Sequence, residues 1–91
     1  MDKPTERINS QLREKYVGHT IRISGKVNSF TGDTSIITAS DGGQVLIKLN
    51  GQSKWASQFV EVIGRVEPDL SIMEFSSVNL GDSFGKTIFF F

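Results

Sequence analysis

The stretch Thr20–Phe30, TIRISGKVNSF, contains the longest two-residue alternation in the chain and decides the fold. Apolar or small residues fall on one face and polar residues on the other, as a half-buried strand requires. Gly25 interrupts the apolar row at its middle, where a glycine usually marks a bulge or a bend from one sheet into a second. The run Phe59–Val66, FVEVIGRV, repeats this feature at Gly64. Two long strands that bend at glycines suit the corners of a small closed barrel.

Turn residues divide the rest of the chain into shorter strands. Thr31-Gly32-Asp33 ends the first strand, and Pro68-Asp69 forms a tight turn late in the chain. Ser40-Asp41-Gly42-Gly43 is the strongest hairpin signal, because Asp-Gly supplies the positive φ angles of tight hairpins. The predicted strands are Thr20–Phe30, Thr34–Ala39, Gln44–Leu49, Gln58–Glu67 and Leu70 to about Val78.

A short helix is predicted before the first strand. Ile8, Leu12 and Tyr16 recur at four-residue spacing, which predicts about two helical turns. Ser10 can cap the start of this helix and Gly18 can end it. Because so short a helix is not stable alone in water, we expect it to lie on the barrel. Between the third and fourth strands, residues 50 to 57 allow one helical turn at most.

These elements predict an all-β protein, a five-stranded oligonucleotide/oligosaccharide-binding (OB-fold) barrel with a short N-terminal helix and a short helical or extended C-terminal tail. An SH3-like barrel, or another small five-stranded barrel, is the alternative that the pattern leaves open. We expect a flexible extension over residues 1–7 and the barrel over residues 8–82. Residues 83–91 form a C-terminal segment and a candidate oligomerisation element.

The composition favours a single small folded domain and argues against several functions. The chain has 91 residues, with ten Lys and Arg balanced by ten Asp and Glu. Proteins that bind nucleic-acid phosphates generally carry a basic excess, so a nucleic-acid role is expected to be local or indirect. Cysteine is absent, which excludes disulfides and cysteine-based zinc sites. No signal peptide or spanning segment is recognisable, so we expect an intracellular protein without membrane contact.

The order and spacing of several motifs resemble the smallest subunit of replication protein A, the eukaryotic heterotrimer that binds single-stranded DNA. These motifs span residues 7 to 84, and the block Val60–Val66, VEVIGRV, is the most specific of them. The others are Arg7-Ile8-Asn9, Gly25-Lys26-Val27, Ser40-Asp41-Gly42 and Gly81-Asp82-Ser83-Phe84. The resemblance implies a nuclear, non-catalytic scaffold subunit that assembles with two larger replication protein A subunits and itself contacts DNA little. It also implies a role in DNA replication, repair and recombination.

The C-terminal segment departs from the pattern of that family, whose small subunit joins the trimer through a helix after the fifth strand. Here only GKTIFFF follows Phe84, and these residues suit a helix or a strand. We expect a partner subunit or this domain's own barrel to cover the apolar side chains, unless the segment reflects truncation or an alternative transcript. The candidate subunit-interface residues are Phe84, Ile88, Phe89, Phe90 and Phe91.

Direct contact with single-stranded nucleic acid would use stacked aromatic side chains and a basic track on the face of the second and third strands. The weak candidates for this contact are Phe30, Lys48, Lys54 and Trp55. A plainer interpretation is that Phe30 closes the end of the barrel, Trp55 plugs its bottom and both lysines are solvated. We favour the plainer interpretation, because the outward faces of these strands carry no aromatic ladder.

No catalytic, metal or cofactor site is predicted. His19, the single histidine, lacks an orienting acid, a nucleophile and companion ligands. The aspartates at positions 33, 41, 69 and 82 are interpreted as turn formers. We therefore expect no enzyme activity and no small-molecule substrate. The alternative function is a stand-alone or telomere-capping OB-fold module that binds single-stranded nucleic acid directly.

Overall fold

The computed structural model describes residues 6–51 and 55–81. Within these ranges, five long strands follow a two-residue strand and one 3₁₀ helix. The elements are β1 Glu6–Arg7, the 3₁₀ helix Ser10–Tyr16, β2 Thr20–Phe30, β3 Thr34–Ala39, β4 Gln44–Lys48, β5 Phe59–Val66 and β6 Ile72–Gly81. The five predicted strands are β2 to β6, with differences of a few residues at their ends. No helix in this part of the chain is long and apolar enough to cross a membrane.

Strand β2 belongs to both sides of the barrel. Its first half, Thr20 to Lys26, pairs antiparallel with β5, and its second half, from Gly25 to Phe30, pairs antiparallel with β3. The sheet continues through β4 and β6 back to β5. A short parallel contact, in which Ile47 and Lys48 of β4 lie opposite the start of β6, links the two halves. The sheet therefore closes on itself, as the bent strands of the sequence predict.

Gly25 lies at the point where β2 changes partners. It pairs with Ala39 of β3 on one side and with Val60 of β5 on the other. A Cβ atom at this position would lie 2.8 Å from the Cδ1 atom of Ile37. The bulge in β2 is elsewhere, at Asn28, where the register with β3 shifts by one residue. Gly25 thus marks the bend, and its missing side chain lets the strands approach closely.

Gly64 has a similar role in β5. A Cβ atom there would lie 2.2 Å from the backbone oxygen of Met73 and 2.9 Å from the Cγ2 atom of Ile72. The register of β5 and β6 shifts at this point, which leaves Phe75 as an extra residue in β6. Because the atom in the way belongs to the backbone, a side chain at Gly64 would have to push β5 and β6 apart.

The core is an aliphatic cluster inside the barrel. Its members come from all five long strands and from Ile8, which lies two residues before the 3₁₀ helix. Most are β-branched, as strands favour. Leu12, Tyr16 and Trp55 pack against its edge. The cluster consists of Ile8, Ile21, Ile23, Ile37, Ala39, Val45, Ile47, Val60, Val62, Val66 and Ile72. The inward faces predicted for the first and fourth strands are confirmed.

The 3₁₀ helix is capped by Asn9, and the predicted cap at Ser10 is wrong. The side-chain oxygen of Asn9 accepts a hydrogen bond from the backbone nitrogen of Leu12 at 3.1 Å. Ser10 lies inside the first turn, and its hydroxyl donates instead to both carboxylate oxygens of Asp41, at 2.7 and 2.8 Å. The backbone nitrogen of Gln11 donates to the same carboxylate at 3.0 Å. A residue of the hairpin therefore serves as an additional acceptor for this helix.

The other side of the helix is tied to the turn before β6. The Arg13 guanidinium donates from Nη1 to the backbone oxygen of Leu70 at 2.7 Å, and from Nε to the backbone oxygen of Ser10 at 2.8 Å. The helix is thus held between the β3–β4 hairpin and the β5–β6 turn. Both lie at the starts of the parallel strands β4 and β6, so the helix packs at this end of the barrel.

Residues 6 and 7 differ from the flexible extension expected over residues 1–7. They form β1, which pairs in parallel with Ile21 and Arg22 of β2. The Arg7 guanidinium reaches across the sheet to Glu61 of β5, at 2.9 Å from its Nη2 atom to the carboxylate. Glu61 is only 9% exposed, so this ion pair is partly shielded from water. The first five residues lie outside the described ranges.

Replacing Gly64 with alanine is expected to lower the free energy of unfolding by at least ~2 kcal/mol, because the new methyl group meets backbone. The matched control is Gly32→Ala, at a φ of +95° but with no atom within 4 Å of the new Cβ. For this control we expect a loss of ~1 kcal/mol in the free energy of unfolding, from backbone strain alone. Urea unfolding measures both variants, and equal losses would contradict the steric explanation.

The hydrogen bonds to Asp41 predict an acid-sensitive contact. Partial burial raises the pKa of Asp41, but hydrogen bonds from Ser10, Gly43 and Gln11 outweigh it and lower the pKa below the ordinary 3.8. The pKa of Asp41 is lower in the folded protein than in the unfolded chain, so the charged carboxylate stabilises the fold at pH values above about 3.8. That contribution is lost as the pH falls through the folded-state pKa.

Asp41→Asn is therefore expected to destabilise the protein at pH 7 by ~1 kcal/mol, with the difference from the unmodified chain shrinking below pH 4. Urea unfolding at several pH values measures this difference. Asp33→Asn, in the exposed turn after β2, is the matched control. A constant difference across the acid range would show that the charge of Asp41 does not act on the helix.

Candidate nucleic-acid interface

Two of the four nucleic-acid candidates meet at one end of the barrel. Phe30 is the last residue of β2, and Trp55 lies in the segment that leads into β5. Their ring centroids are 5.6 Å apart and their planes are inclined by 51°. Phe30 is 45% exposed, whereas Trp55 is half-buried and packs against the core. We call these two side chains the aromatic pair.

The bulge at Asn28 explains why Phe30 reaches Trp55. Strict alternation from Ile21 would place Phe30 on the outward face of β2. The extra residue shifts the register, so Phe30 pairs with Ser35, which is buried on the inner face of β3. Residues directly opposite each other on paired strands share a face. The bulge therefore moves Phe30 to the inner side of the sheet, at the mouth of the barrel.

A buried carboxylate positions Trp55. The indole Nε1 donates to Glu74 at 3.1 Å and to the hydroxyl of Ser77 at 2.9 Å. Glu74 is 2% exposed and accepts a further hydrogen bond from the backbone nitrogen of Asn50 at 3.2 Å. The side-chain amide of Asn50 donates to the backbone oxygen of Phe75 at 2.8 Å. Asn50 and Trp55 both belong to the segment between β4 and β5, and these contacts attach them to β6.

Sequence reasoning missed Glu74 as a positioning residue, although a signal for it was present. Alternation along β6 places Glu74 on the same face as buried Ile72. A glutamate on an inward face needs a hydrogen-bond partner, because an unpaired buried charge is costly. Trp55 supplies such a partner, but it is far away in the sequence and could not be identified from local pattern.

The two lysine candidates are not part of this geometry. Lys48 lies beside Asp69, with its Nζ atom 3.3 Å from the carboxylate. Hydrogen bonds from the side chain and backbone of Ser71, together with Lys48, lower the pKa of Asp69 to about 2. Lys48 thus faces a carboxylate that is charged at neutral pH. Lys54 lies outside the described residues, as do the subunit-interface candidates Phe84, Ile88, Phe89, Phe90 and Phe91.

The single histidine, which was considered for catalysis and metal binding, makes a structural contact. His19 is exposed and makes an edge-to-face contact with Tyr16, with ring centroids 6.2 Å apart. The hydroxyl of Tyr16 donates to Glu6, and this hydrogen bond raises the pKa of Tyr16. Over residues 6–51 and 55–81, no three His, Asp or Glu side chains form a cluster that could hold a metal ion.

The chain is an OB-fold protein. It forms a closed barrel of five long strands, with a short helix before the first of them and aromatic side chains at one end. The family model described as Replication factor A protein 3 matches residues 1–89. The chain belongs to the Replication factor A protein 3 family. The resemblance and the fold inferred from the sequence are both confirmed.

Two similar proteins support this assignment. Replication factor A protein 3 of Schizosaccharomyces pombe is 24% identical over 89 residues, which cover 98% of this chain and 85% of the relative. A chain in the solved structure of U. maydis replication protein A bound to ssDNA is 40% identical and superposes with a TM-score of 0.84. That superposition covers 88% of this chain and 76% of the U. maydis chain.

Replacing Glu74 with glutamine is expected to destabilise the protein by ~1–3 kcal/mol and to shift the emission of Trp55 to longer wavelength. The carboxylate accepts from Asn50 through one oxygen and from Trp55 through the other. Glutamine has one acceptor oxygen, and its amide would face a donor. Urea unfolding and fluorescence measure these effects.

Ser77→Ala is the matched control for that variant, because it removes one acceptor of the indole and leaves Glu74 in place. We expect a smaller loss of stability and little change in emission. If both variants behaved alike, Glu74 would not be the group that positions Trp55.

Proposed function

We propose that this chain is a non-catalytic structural subunit of a replication protein A complex, which binds single-stranded DNA in replication, repair and recombination. It supports assembly of the heterotrimer more than it contacts DNA, and it acts in the nucleus. The observation that carries this proposal is the family match over residues 1–89. The likeness to a chain of U. maydis replication protein A bound to ssDNA supports it.

The charge of the chain supports a scaffold role. Ten basic and ten acidic residues balance, whereas single-strand binding through phosphates needs a basic track. Several basic side chains on the barrel face acids. Arg65 lies 3.0 Å from Glu67, and Lys48 lies 3.3 Å from Asp69. The Arg7 guanidinium forms an ion pair with Glu61. Each of these basic side chains already faces a carboxylate, which leaves it less able to pair with a phosphate backbone.

The proposed partners are the two larger replication protein A subunits. The segment over residues 83–91 carries the candidate contacts Phe84, Ile88, Phe89, Phe90 and Phe91. Large apolar side chains of this kind are enriched at the centre of stable protein interfaces. The segment follows β6, which exposes Phe75 and Val78 along its length. An apolar interface at this end of the chain would fit a subunit whose main surface meets protein.

Size-exclusion mass measurement tests the proposal with the chain alone and with the two larger subunits. We expect a heterotrimer with the full chain and its loss with a chain that ends at Asp82, because the apolar contacts are removed. The matched control is Leu46→Ala, which removes an exposed apolar side chain from β4 and should leave assembly unchanged.

A monomeric full chain in the presence of both larger subunits would contradict the proposed function. If that chain also bound labelled single-stranded DNA tightly and with strong salt dependence, the alternative of a stand-alone or telomere-capping OB-fold module would be favoured.

A further inference from the structure

We infer that Asn50 is a site of spontaneous deamidation, and that this modification releases the segment between β4 and β5 from β6. The inference starts from the pair Asn50-Gly51, which is the single Asn-Gly sequence in the chain. Asn50 is also one of the residues that attach this segment to Glu74 of β6. The inference goes beyond the proposed function and does not depend on it.

The reaction joins Asn50 to the next residue through a cyclic imide. The backbone nitrogen of Gly51 attacks the side-chain carbonyl carbon of Asn50. A new C–N bond forms, the bond from that carbon to Nδ2 breaks, and Nδ2 leaves as ammonia with the proton that the Gly51 nitrogen gives up. One water molecule then opens the ring at either carbonyl. The products are aspartate and isoaspartate, and in isoaspartate the backbone runs through the former side chain.

The surroundings of Gly51 suit closure of this ring. Gly51 is exposed and lies outside the strands, and its φ is +85°. A Cβ atom there would meet no described atom within 4 Å. Glycine has no side chain to obstruct its nitrogen, and it adopts backbone conformations that other residues avoid. Because Asn50 is exposed as well, water can reach the imide.

The other asparagines of the chain are held by the fold. Asn9 precedes Ser10 and caps the 3₁₀ helix, whereas Asn28 and Asn79 lie within β2 and β6. Ring closure at these positions would distort backbone that is hydrogen-bonded in regular structure. Asn50 is therefore the asparagine that we expect to react first.

One hydrogen bond opposes the reaction at Asn50. Its Nδ2 atom donates to the backbone oxygen of Phe75 at 2.8 Å, and this bond must open before the nitrogen can leave. The bond lies at the surface, where water competes with it and local opening costs little. We therefore expect Asn50 to react more slowly in the folded chain than in a free peptide, but faster than Asn28 or Asn79.

The products lose the contacts that Asn50 makes. An aspartate carboxylate has no donor for the backbone oxygen of Phe75 and would face it acceptor to acceptor. It also adds a negative charge to the residue whose backbone nitrogen donates to Glu74, a carboxylate that is 2% exposed. Isoaspartate lengthens the backbone and displaces that nitrogen. Since Trp55 donates to the same carboxylate, the change at Asn50 reaches the indole.

Incubation of the full chain at physiological temperature and mildly alkaline pH tests the site. Mass measurement after digestion should show conversion of an amide to an acid at Asn50, with less conversion at Asn9, Asn28 and Asn79. Enzymatic methylation of isoaspartate identifies that product. Asn50→Gln should show no conversion at this position, because its longer side chain disfavours the ring. A peptide of residues 46–55, incubated in parallel, gives the rate without the fold.

Fluorescence and urea unfolding test the release of the segment, since Trp55 is the single tryptophan. The converted chain, separated by its added charge, should emit at longer wavelength and unfold at lower urea concentration. Asn50→Asp should show the same changes without incubation. The matched control is Asn9→Asp, which adds the same charge at the 3₁₀ helix and keeps the oxygen that accepts from Leu12. Its emission should be unchanged.

Three results would overturn the inference. The first is an unconverted Asn50 in the folded chain at the time when the peptide has fully reacted. The second is unchanged emission and unfolding in both the converted chain and Asn50→Asp. The third is an equal shift in Asn50→Asp and Asn9→Asp, which would assign the effect to charge alone and not to the contacts with Phe75 and Glu74.

Discussion

The pairing of β2 with two different strands is the constraint on which the barrel depends. Residues 20 to 26 bond to β5 and residues 25 to 30 bond to β3, so one strand forms part of both sides. Such sharing places Gly25 between Ala39 of β3 and Val60 of β5, so β2 connects the two sides of the closed sheet. It is sterically possible because Gly25 has no Cβ where β2 crosses Ile37. Gly64 allows the same close approach between β5 and β6.

Two buried glutamates extend this framework to segments that have little secondary structure. Glu61 holds β1 through Arg7, and Glu74 holds Trp55 and Asn50 beside β6. A buried carboxylate is stable only when donors compensate for its lost hydration. Here the donors belong to β1 and to the segment between β4 and β5. These two carboxylates therefore act within the fold.

The aromatic pair lies at one end of the barrel and is positioned by contacts between distant parts of the chain. Its position results from the bulge at Asn28 and from the acceptor that Glu74 presents to the indole. The bulge sets the position of Phe30, and the acceptor sets that of Trp55.

The sequence by itself determined the five long strands, the inward faces of β2 and β5 and the main turns, because these depend on two-residue periodicity and on local turn chemistry. The order and spacing of its motifs indicated the family. It also indicated the neutral surface and named Phe30 and Trp55 among its candidates. Only the tertiary structure decided that Phe30 turns inward, that Glu74 anchors Trp55, that Asn9 caps the helix and that residues 6 and 7 join the sheet. A one-residue register shift and contacts between distant segments set most of these outcomes, and local periodicity carries no information about either.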